Sequence, residues 1–427
     1  MVAELPRTRA MTLVMMDRFR RRHLRAPSGS RNTEEKRSHM LSHGHRLRRL
    51  GLTSLAIGLL VLAAGCGSSG SSDDDSSGST QAAATTTAAA PAADAGIADA
   101  KKATDELLQR PTQIAVTAPI GQTVPKGKTV ALLQCGFPAC IPPGDHVRAA
   151  AKSLGWTVRT INTGLTPETV QAGWDQAVRI KPDGVIAIPS YTRETFAKQL
   201  EKLKAADIPV VNCCTPEDAG NGIQLTINAL DNGKAIGQAM AKYVVGSREG
   251  KAHPVSVDVG GLPIAQVIDK AFKAEYTQLQ PDAKIESLTV PVTSIGKDAP
   301  TRIVGFLRSH PDVDIIVLAE SSPAIGLPAA LKAAGLDVPI FAEGVSSTIY
   351  QYIRAGQMEG TVAFDDYGVG YTMVDGLVRL FTGGDIEDSN KVMPRWVLTK
   401  DNLPEGDTFP VVADNDAQFE KLWGVSG

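Results

Sequence analysis

A short sequence block that occurs twice constrains the fold of this chain most strongly. The first copy reads KPDGVIAIPS at residues 181–190, and the second reads HPDVDIIVLAES at residues 310–321. Each copy is followed by a segment with helical spacing and then by a second apolar run, at 203–211 and at 331–341. Continuous apolar runs joined by amphipathic segments are typical of parallel strands connected by crossover helices. The duplication therefore predicts an α/β chain with two doubly wound, parallel-sheet lobes.

The beginning of the chain has a different composition. A basic segment precedes an apolar run at 52–64, and the small residues Ala63, Ala64 and Gly65 separate this run from Cys66. A basic flank, a short apolar core and small residues are typical of a secretory signal, and the run is too short for a comfortable membrane span. The cysteine directly after the small residues resembles the lipobox of bacterial lipoproteins, which makes Cys66 the predicted lipidation site. An uncleaved signal anchor is the alternative.

We expect residues 1–65 to form this leader. A signal that began at Met40 would have a normal length, whereas one that began at Met1 would be unusually long; an arginine-rich cytoplasmic extension is the alternative. Residues 66–110 follow, and most of them are Gly, Ser, Asp, Thr and Ala. This composition lacks the apolar content for a core and predicts a disordered tether after the lipidated cysteine.

Several short motifs in the globular part carry a family resemblance. In chain order they are IPVV at 208–211, Asp231-Asn232 with Gly237, AIG at 324–326, GTVA at 360–363 and VLTKDN at 397–402. With these motifs, residues 128–403 resemble the type I periplasmic binding proteins of the ribose- and galactose-binding kind. The resemblance implies two lobes joined by three hinge crossings. The expected first lobe comprises 111–228 plus 366–394, and the second comprises 229–365 plus 395–427.

The resemblance also implies which positions contact the ligand, namely the loops at the strand ends. The predicted ligand-binding residues are Phe137, Ser190, Tyr191, Asn212, Cys213, Cys214, Asn228, Gln266, Glu320, Glu343, Phe364 and Asp365. The family's sugar-binding residues are largely replaced at these positions, and none of them is arginine or lysine. Carboxylates suit hydroxyl donors or an amine, and aromatic faces suit a sugar ring or a cation. We therefore expect a sugar, a polyol or an amine-bearing solute rather than an anion; for any single acid, a solvent-facing position is the alternative.

Four cysteines remain once Cys66 is lipidated, and disulfides persist outside the cytoplasm. In the family's sheet another strand separates the first strand from the fourth, which places their ends too far apart for a bridge. Cys135 and Cys140 are therefore the predicted disulfide. Whether Cys213 and Cys214 are free thiols or an adjacent pair stays open.

No nucleophile elbow, phosphate loop or metal-ligand motif is present in the sequence, which predicts a protein that is not an enzyme and uses no cofactor or metal. A net charge of −2 without a basic stripe disfavours nucleic acid as a partner. The expected function is that of a monomeric extracytoplasmic lipoprotein, anchored to the cell membrane, that delivers a small-molecule solute to the permease of an ABC importer. A ligand sensor that feeds a signalling partner is the alternative.

Overall fold

The computed structural model describes residues 90–189, 191–227 and 230–425. The predicted leader, Cys66 and the first part of the tether lie outside the described residues, as do the candidate residues Ser190 and Asn228. The chain divides into two compact units, 1–81 and 82–427, and all that follows concerns the second unit. Among the described residues, no helix combines the length and the apolar character that a membrane span needs.

The first lobe is built on a five-stranded parallel sheet with the strand order β2-β1-β3-β4-β5. Its strands are β1 (Thr129–Cys135), β2 (Thr157–Gly164), β3 (Gly184–Ile188), β4 (Val210–Cys213) and β5 (Leu225–Ile227). Its helices are α2 (Ile141–Ser153), α3 (Pro167–Ile180), α4 (Ala197–Ala205), α10 (Asp366–Thr382) and α11 (Asn415–Trp423). β3 and β4 are buried along their whole length because helices cover both faces of the sheet.

The second lobe contains a six-stranded sheet with the order β11-β10-β9-β8-β6-β7, in which only β11 runs antiparallel to its neighbour. Its strands are β6 (Pro254–Gly260), β7 (Glu286–Pro291), β8 (Ile315–Leu318), β9 (Ile340–Glu343), β10 (Gly360–Val362) and β11 (Val397–Thr399). Its helices are α1 (Ala90–Leu107), α5 (Leu230–Ser247), α6 (Pro263–Leu279), α7 (Ala299–Ser309), α8 (Leu327–Ala334) and α9 (Ser347–Arg354).

The two copies of the repeated block occupy equivalent places in the two lobes. The first copy forms β3 and is followed by α4 and β4, and the second forms β8 and is followed by α8 and β9. Both strands are fully buried and lie beside the first strand of their sheet, β1 and β6 respectively. The predicted pair of doubly wound lobes is confirmed.

The chain crosses between the lobes at the carboxyl ends of strands. β5 ends in the first sheet at Ile227, and α5 begins at Leu230 and packs on α6 of the second lobe. β10 ends in the second sheet, and the α10 that follows it packs on α2 and β4 of the first lobe. The third crossing leads back to β11, where the backbone N–H of Met393 donates to Asn232 Oδ1 at 2.8 Å. The carboxyl edges of both sheets therefore border the junction between the lobes.

The structure corrects the predicted tether. Residues 90–107 form α1, which packs on α5 instead of remaining disordered. Ile97 and Ala100 join the core of the second lobe. The contact is close, since a Cβ added at Gly246 would lie 2.6 Å from the carbonyl oxygen of Ala100. A few apolar residues at helical spacing thus suffice to dock this alanine-rich segment.

The end of the chain also differs from the expected lobe assignment. Residues 395–427 were expected in the second lobe, but α11 packs on α10 of the first lobe. Phe419 and Trp423 are buried in the first-lobe core, and Trp423 Nε1 donates to the buried carboxylate of Asp375 at 2.7 Å. These tertiary contacts place α11 on the first lobe, although β11, the strand that precedes it in the chain, belongs to the sheet of the second lobe.

The segments that follow α1 and β11 are hydrogen-bonded to each other, and we call this pairing the terminal clasp. Its residues are 108–120 and 402–422. Asn402 Nδ2 donates to the carbonyl oxygen of Leu108 at 2.9 Å, close to β11 of the second lobe. Ile120 N donates to the carbonyl oxygen of Leu422 at 2.8 Å, on the first lobe. The clasp therefore connects the two lobes in addition to the three hinge crossings.

Candidate functional site

Two disulfides lie at the carboxyl edge of the first sheet. Cys135, the last residue of β1, is bonded to Cys140, with their Cα atoms 5.8 Å apart. Cys213, the last residue of β4, is bonded to its neighbour Cys214, an adjacent pair that the sequence left open. Phe137 stands within the first disulfide loop. Phe137 and Cys214 are each half-buried and pack against the first-lobe core, so this edge offers an apolar, uncharged surface.

Buried polar groups accompany this surface on β4 and β5. Asn212 is only 1% exposed, and neither atom of its amide has a hydrogen-bond partner among the described residues. Thr226 lies opposite Asn212 on β5, and its hydroxyl and that of the nearby Thr215 also lack partners within the described part of the chain. The two threonines were not predicted; Thr226 is the middle residue of the short strand β5, and Thr215 lies two residues after the end of β4. An amide and two hydroxyls that are not engaged elsewhere can donate to or accept from a ligand.

The second lobe contributes two carboxyl groups from adjacent strands. Glu343 is the last residue of β9 and Glu320 follows the end of β8. Glu320 is half-buried, and its carboxylate accepts from Ser322 N at 3.0 Å and from Ser322 Oγ at 2.8 Å. Glu343 is 7% exposed. Burial, reinforced by the nearby Glu320, raises the pKa of Glu343 to about 8.

A glycine allows these two strand ends to approach each other. Gly344 adopts φ +98°, in the region that favours glycine, directly after Glu343. A Cβ added there would lie 3.0 Å from the Oγ of Ser321, which follows Glu320. A side chain at residue 344 would therefore push the two carboxyl-bearing turns apart.

Asp365 has a local structural role. Its Oδ1 accepts from Gly368 N at 2.9 Å, which makes Asp365 the N-cap of α10. Burial raises the pKa of Asp365 to about 6, although the backbone N–H groups of Gly368 and of Val411 in the terminal clasp act in the opposite direction. Its neighbour Asp366, which was not predicted, is half-buried, and burial followed by repulsion from Asp365 raises its pKa to about 7. Asp365 is thus engaged in holding the hinge, in contrast to Glu343.

The other predicted aromatic and amide residues are placed less centrally. Tyr191 is half-buried, and its hydroxyl donates to the carbonyl oxygen of Leu165 at 2.9 Å. Phe364 lies at the hinge and packs against the first-lobe core. Gln266 is exposed on the first turn of α6. Of these three, only Phe364 lies on a segment that joins the lobes.

Basic groups near the junction are already engaged. Arg395 donates through Nη1 to the carbonyl oxygen of Met393 at 3.0 Å and through Nη2 to the carbonyl oxygen of Asn232 at 3.3 Å. Burial lowers the pKa of Arg395 to about 10, so it remains a cation within the hinge. Arg193, in the segment after β3, lies 3.6 Å from the carboxylate of Glu217. Arg193 is thus paired with an acid, whereas Arg395 has no carboxylate partner among the described residues and its Nε makes no hydrogen bond to them.

A cavity of about 440 Å³ lies elsewhere, between α1, α5 and the turn after β11. Its lining includes Lys101, Tyr243 and Lys400. Because Thr399 pairs with Gly360, this turn lies at the amino end of β10, at the opposite edge of the sheet from the two glutamates. Within 90–189, 191–227 and 230–425, no cluster of three or more His, Cys, Asp or Glu side chains is arranged to hold a metal ion.

Comparison with known proteins identifies the family. A model of the periplasmic binding protein domain matches residues 140–385, which is more than half of the chain. The chain belongs to the periplasmic binding protein domain family. The match includes the hinge segment at 363–365 and the ends of β4, β8 and β9. No similar protein was found among curated protein sequences.

Solved structures of this family share the fold. A solute-binding protein of an ABC transporter from Agrobacterium vitis, bound with α-D-tagatopyranose, is 20% identical, with a TM-score of 0.56 over 64% of this chain and 95% of that one. A glucose-galactose binding protein from Geobacillus stearothermophilus is 19% identical, with a TM-score of 0.56 over 66% and 100%. A carbohydrate transporter protein from Acidothermus cellulolyticus in complex with myo-inositol is 21% identical, with a TM-score of 0.53 over 70% and 99%. At these identities the likeness establishes the fold.

Proposed function

We propose that this periplasmic binding protein is an extracytoplasmic solute receptor that encloses a sugar or polyol between its lobes and delivers it to an ABC importer. The observation that carries the proposal is the location of the strand ends. The carboxyl edges of both sheets border the lobe junction, where ligands of open parallel sheets bind. The proposed role is binding without catalysis.

The two edges are chemically complementary to a polyhydroxylated ring. Phe137 and the Cys213–Cys214 pair on the first lobe supply apolar faces, and Asn212 supplies an amide that can bond to a hydroxyl. Glu343 on the second lobe supplies a carboxyl group for a further hydroxyl. The solved relatives described with tagatopyranose and with myo-inositol support this ligand class.

The proposed location rests on the leader and on the cysteines. The apolar run before Cys66 supports export and lipidation, and the two disulfides of the first lobe suit an oxidising compartment. In this proposal the lipid anchor holds the receptor at the cell membrane, where it meets the permease.

A ligand screen followed by calorimetry tests the proposal. The purified protein is screened by thermal shift against D-galactose, D-ribose, D-allose, D-tagatose, allitol and myo-inositol, and the best compound is titrated into the wild type and into Phe137→Ala. Loss of the stacking face should weaken binding by about 1–2 kcal/mol, about five- to thirty-fold. Phe306→Ala is the matched control, because Phe306 stacks on His310 at the amino edge of β8. A screen without any stabilising compound, or unchanged binding by Phe137→Ala, would contradict the proposal.

A further inference from the structure

We propose that the solute carries a positively charged amine, which pairs with the carboxylate of Glu343. This inference rests on the proposed function, because it concerns the ligand of the same cleft. It narrows the ligand class from sugars and polyols in general to amino sugars and amino polyols.

The first step is the lack of a partner for Glu343. The residue as a whole is 7% exposed at the end of β9, and no hydrogen bond or ion pair joins its carboxyl group to another described residue. A buried carboxylate without donors is unfavourable, so such groups are normally paired. The other acids nearby do not share this property, since Glu320 accepts from Ser322 and Asp365 caps α10. Of these three acids, Glu343 is therefore the one that has no partner among the described residues.

The second step is the sign of the surrounding charge. The charged group that acts on Glu343 is another acid, Glu320, on the neighbouring strand. Neither junction arginine is among the charged groups that act on Glu343: Arg193 pairs with Glu217, and Arg395 bonds to hinge carbonyls through its Nη atoms. The carboxyl edge of the first-lobe sheet carries Phe137 and the Cys213–Cys214 disulfide, neither of which is a cation. A ligand amine would supply a positive charge next to Glu343, on which no cation of the described residues acts.

The protonation of Glu343 agrees with this geometry. Burial and Glu320 raise the pKa of Glu343 to about 8, so this carboxyl group is protonated at neutral pH before a ligand binds. An ammonium group favours the carboxylate and lowers this pKa again. Binding of an amine at pH 7 should therefore release about one proton from Glu343, whereas binding of a neutral sugar should release none.

The experiment is isothermal titration of the full chain with three sets of probes. The first set is D-galactose, D-glucose and myo-inositol, the second is D-galactosamine and D-glucosamine with their N-acetyl forms, and the third is ethanolamine and agmatine. Each titration is repeated at pH 7 in two buffers of different ionisation enthalpy, which counts the protons released. We expect an amino sugar to bind at least tenfold more tightly than both its neutral parent and its N-acetyl form, with release of about one proton.

The outcomes separate this inference from the proposed function. Equal or tighter binding of the neutral parent sugar would overturn the proposal that the solute carries an amine, but it would leave the proposal of sugar capture intact. Binding of ethanolamine or agmatine alone would support the amine and contradict sugar capture. Failure of all probes would overturn both.

A single variant provides a further test. Glu343→Gln keeps the size of the protonated side chain and removes the negative charge, so it should abolish the preference for the amine and the proton release. The same variant should raise the melting temperature of the empty protein, because it removes a buried ionisable group; loss of binding then cannot be ascribed to misfolding. Glu405→Gln, at an exposed acid beside Arg354 and the end of α9, is the matched control. If Glu343→Gln still preferred the amine, Glu343 could not be the partner of the ligand amine.

Discussion

Replacement of Asp375 tests whether α10 holds the end of the chain onto the first lobe. Asp375 is completely buried, and its carboxylate accepts from Arg379 Nε and Ser389 Oγ, each at 2.6 Å, and from Trp423 Nε1 at 2.7 Å. Arg379 is 1% exposed and lies 3.2 Å from Asp388. Asp375→Ala would remove the acceptor of three donors and leave Arg379 with one carboxylate instead of two.

The magnitude follows from the burial of this pair. Removal of one partner from a buried ion pair costs about 3–5 kcal/mol of unfolding free energy, because the remaining charge stays desolvated. If the 333 described residues unfold together, an unfolding entropy of about 2.1 cal/mol/K per residue converts this loss into a melting temperature lower by about 4–7 °C.

Thermal and urea unfolding, followed by circular dichroism, measure the effect. Asp175→Ala is the control, since Asp175 pairs with Lys202 at 3.5 Å on an exposed surface, where ion pairs contribute about 0–1 kcal/mol. The double variant Asp375→Leu/Arg379→Met should be less destabilised than Asp375→Ala, because it also removes the buried charge of Arg379 and leaves Asp388 paired with Lys391. A loss below about 1 kcal/mol in Asp375→Ala would refute the anchoring role of this cluster.

Four further results are expected. Small-angle scattering should give a smaller radius of gyration with a saturating ligand than without one, and an unchanged radius would contradict a hinged receptor. Cys66→Ser should move the protein from the membrane to the soluble fraction; retention in the membrane would favour a signal anchor. Thiol titration of the denatured, unreduced protein should find no free thiol at Cys213 or Cys214, and reactivity at both would disprove their bond. Because burial raises the pKa of Glu343 to about 8, its contribution to stability should decline as the pH rises from about 5 to 8, by up to about 1.4 kcal/mol per pH unit; this part of the slope should be missing in Glu343→Gln.

The repeated block predicted the core of both lobes because residues that are close together in the sequence specify its strand and its helix. A Pro-Asp pair before four or five apolar residues specifies a buried strand start, and the amphipathic segment after it specifies the crossover helix. The sequence of α1 shows the limit of this reasoning. Its alanine-rich composition is typical of a linker, and its helix is stabilised by α5, a partner more than 120 residues away in sequence.

The sequence predicts the position of the candidate site better than it predicts the role of each residue within it. Strand ends mark Glu343 and Asp365 equally well, but only the structure shows that Asp365 caps a helix and that Glu343 has no partner among the residues described. Asp at a helix start is itself a capping signal, which the family resemblance outweighed. The bond between Cys213 and Cys214 depends on backbone conformation, with Cys214 at φ +67°, and adjacent residue types do not specify that conformation.

The terminal clasp has a consequence for affinity that involves no ligand contact. A receptor that binds only when closed has an apparent affinity reduced by the fraction of molecules already closed. Because the clasp joins both lobes, it alters how far they separate and hence the population of closed molecules in the absence of ligand. A rise in that population from about 1% to about 10% would tighten binding about tenfold. A change of Asn402, whose side chain donates to Leu108, would then tune the solute concentration at which the receptor fills.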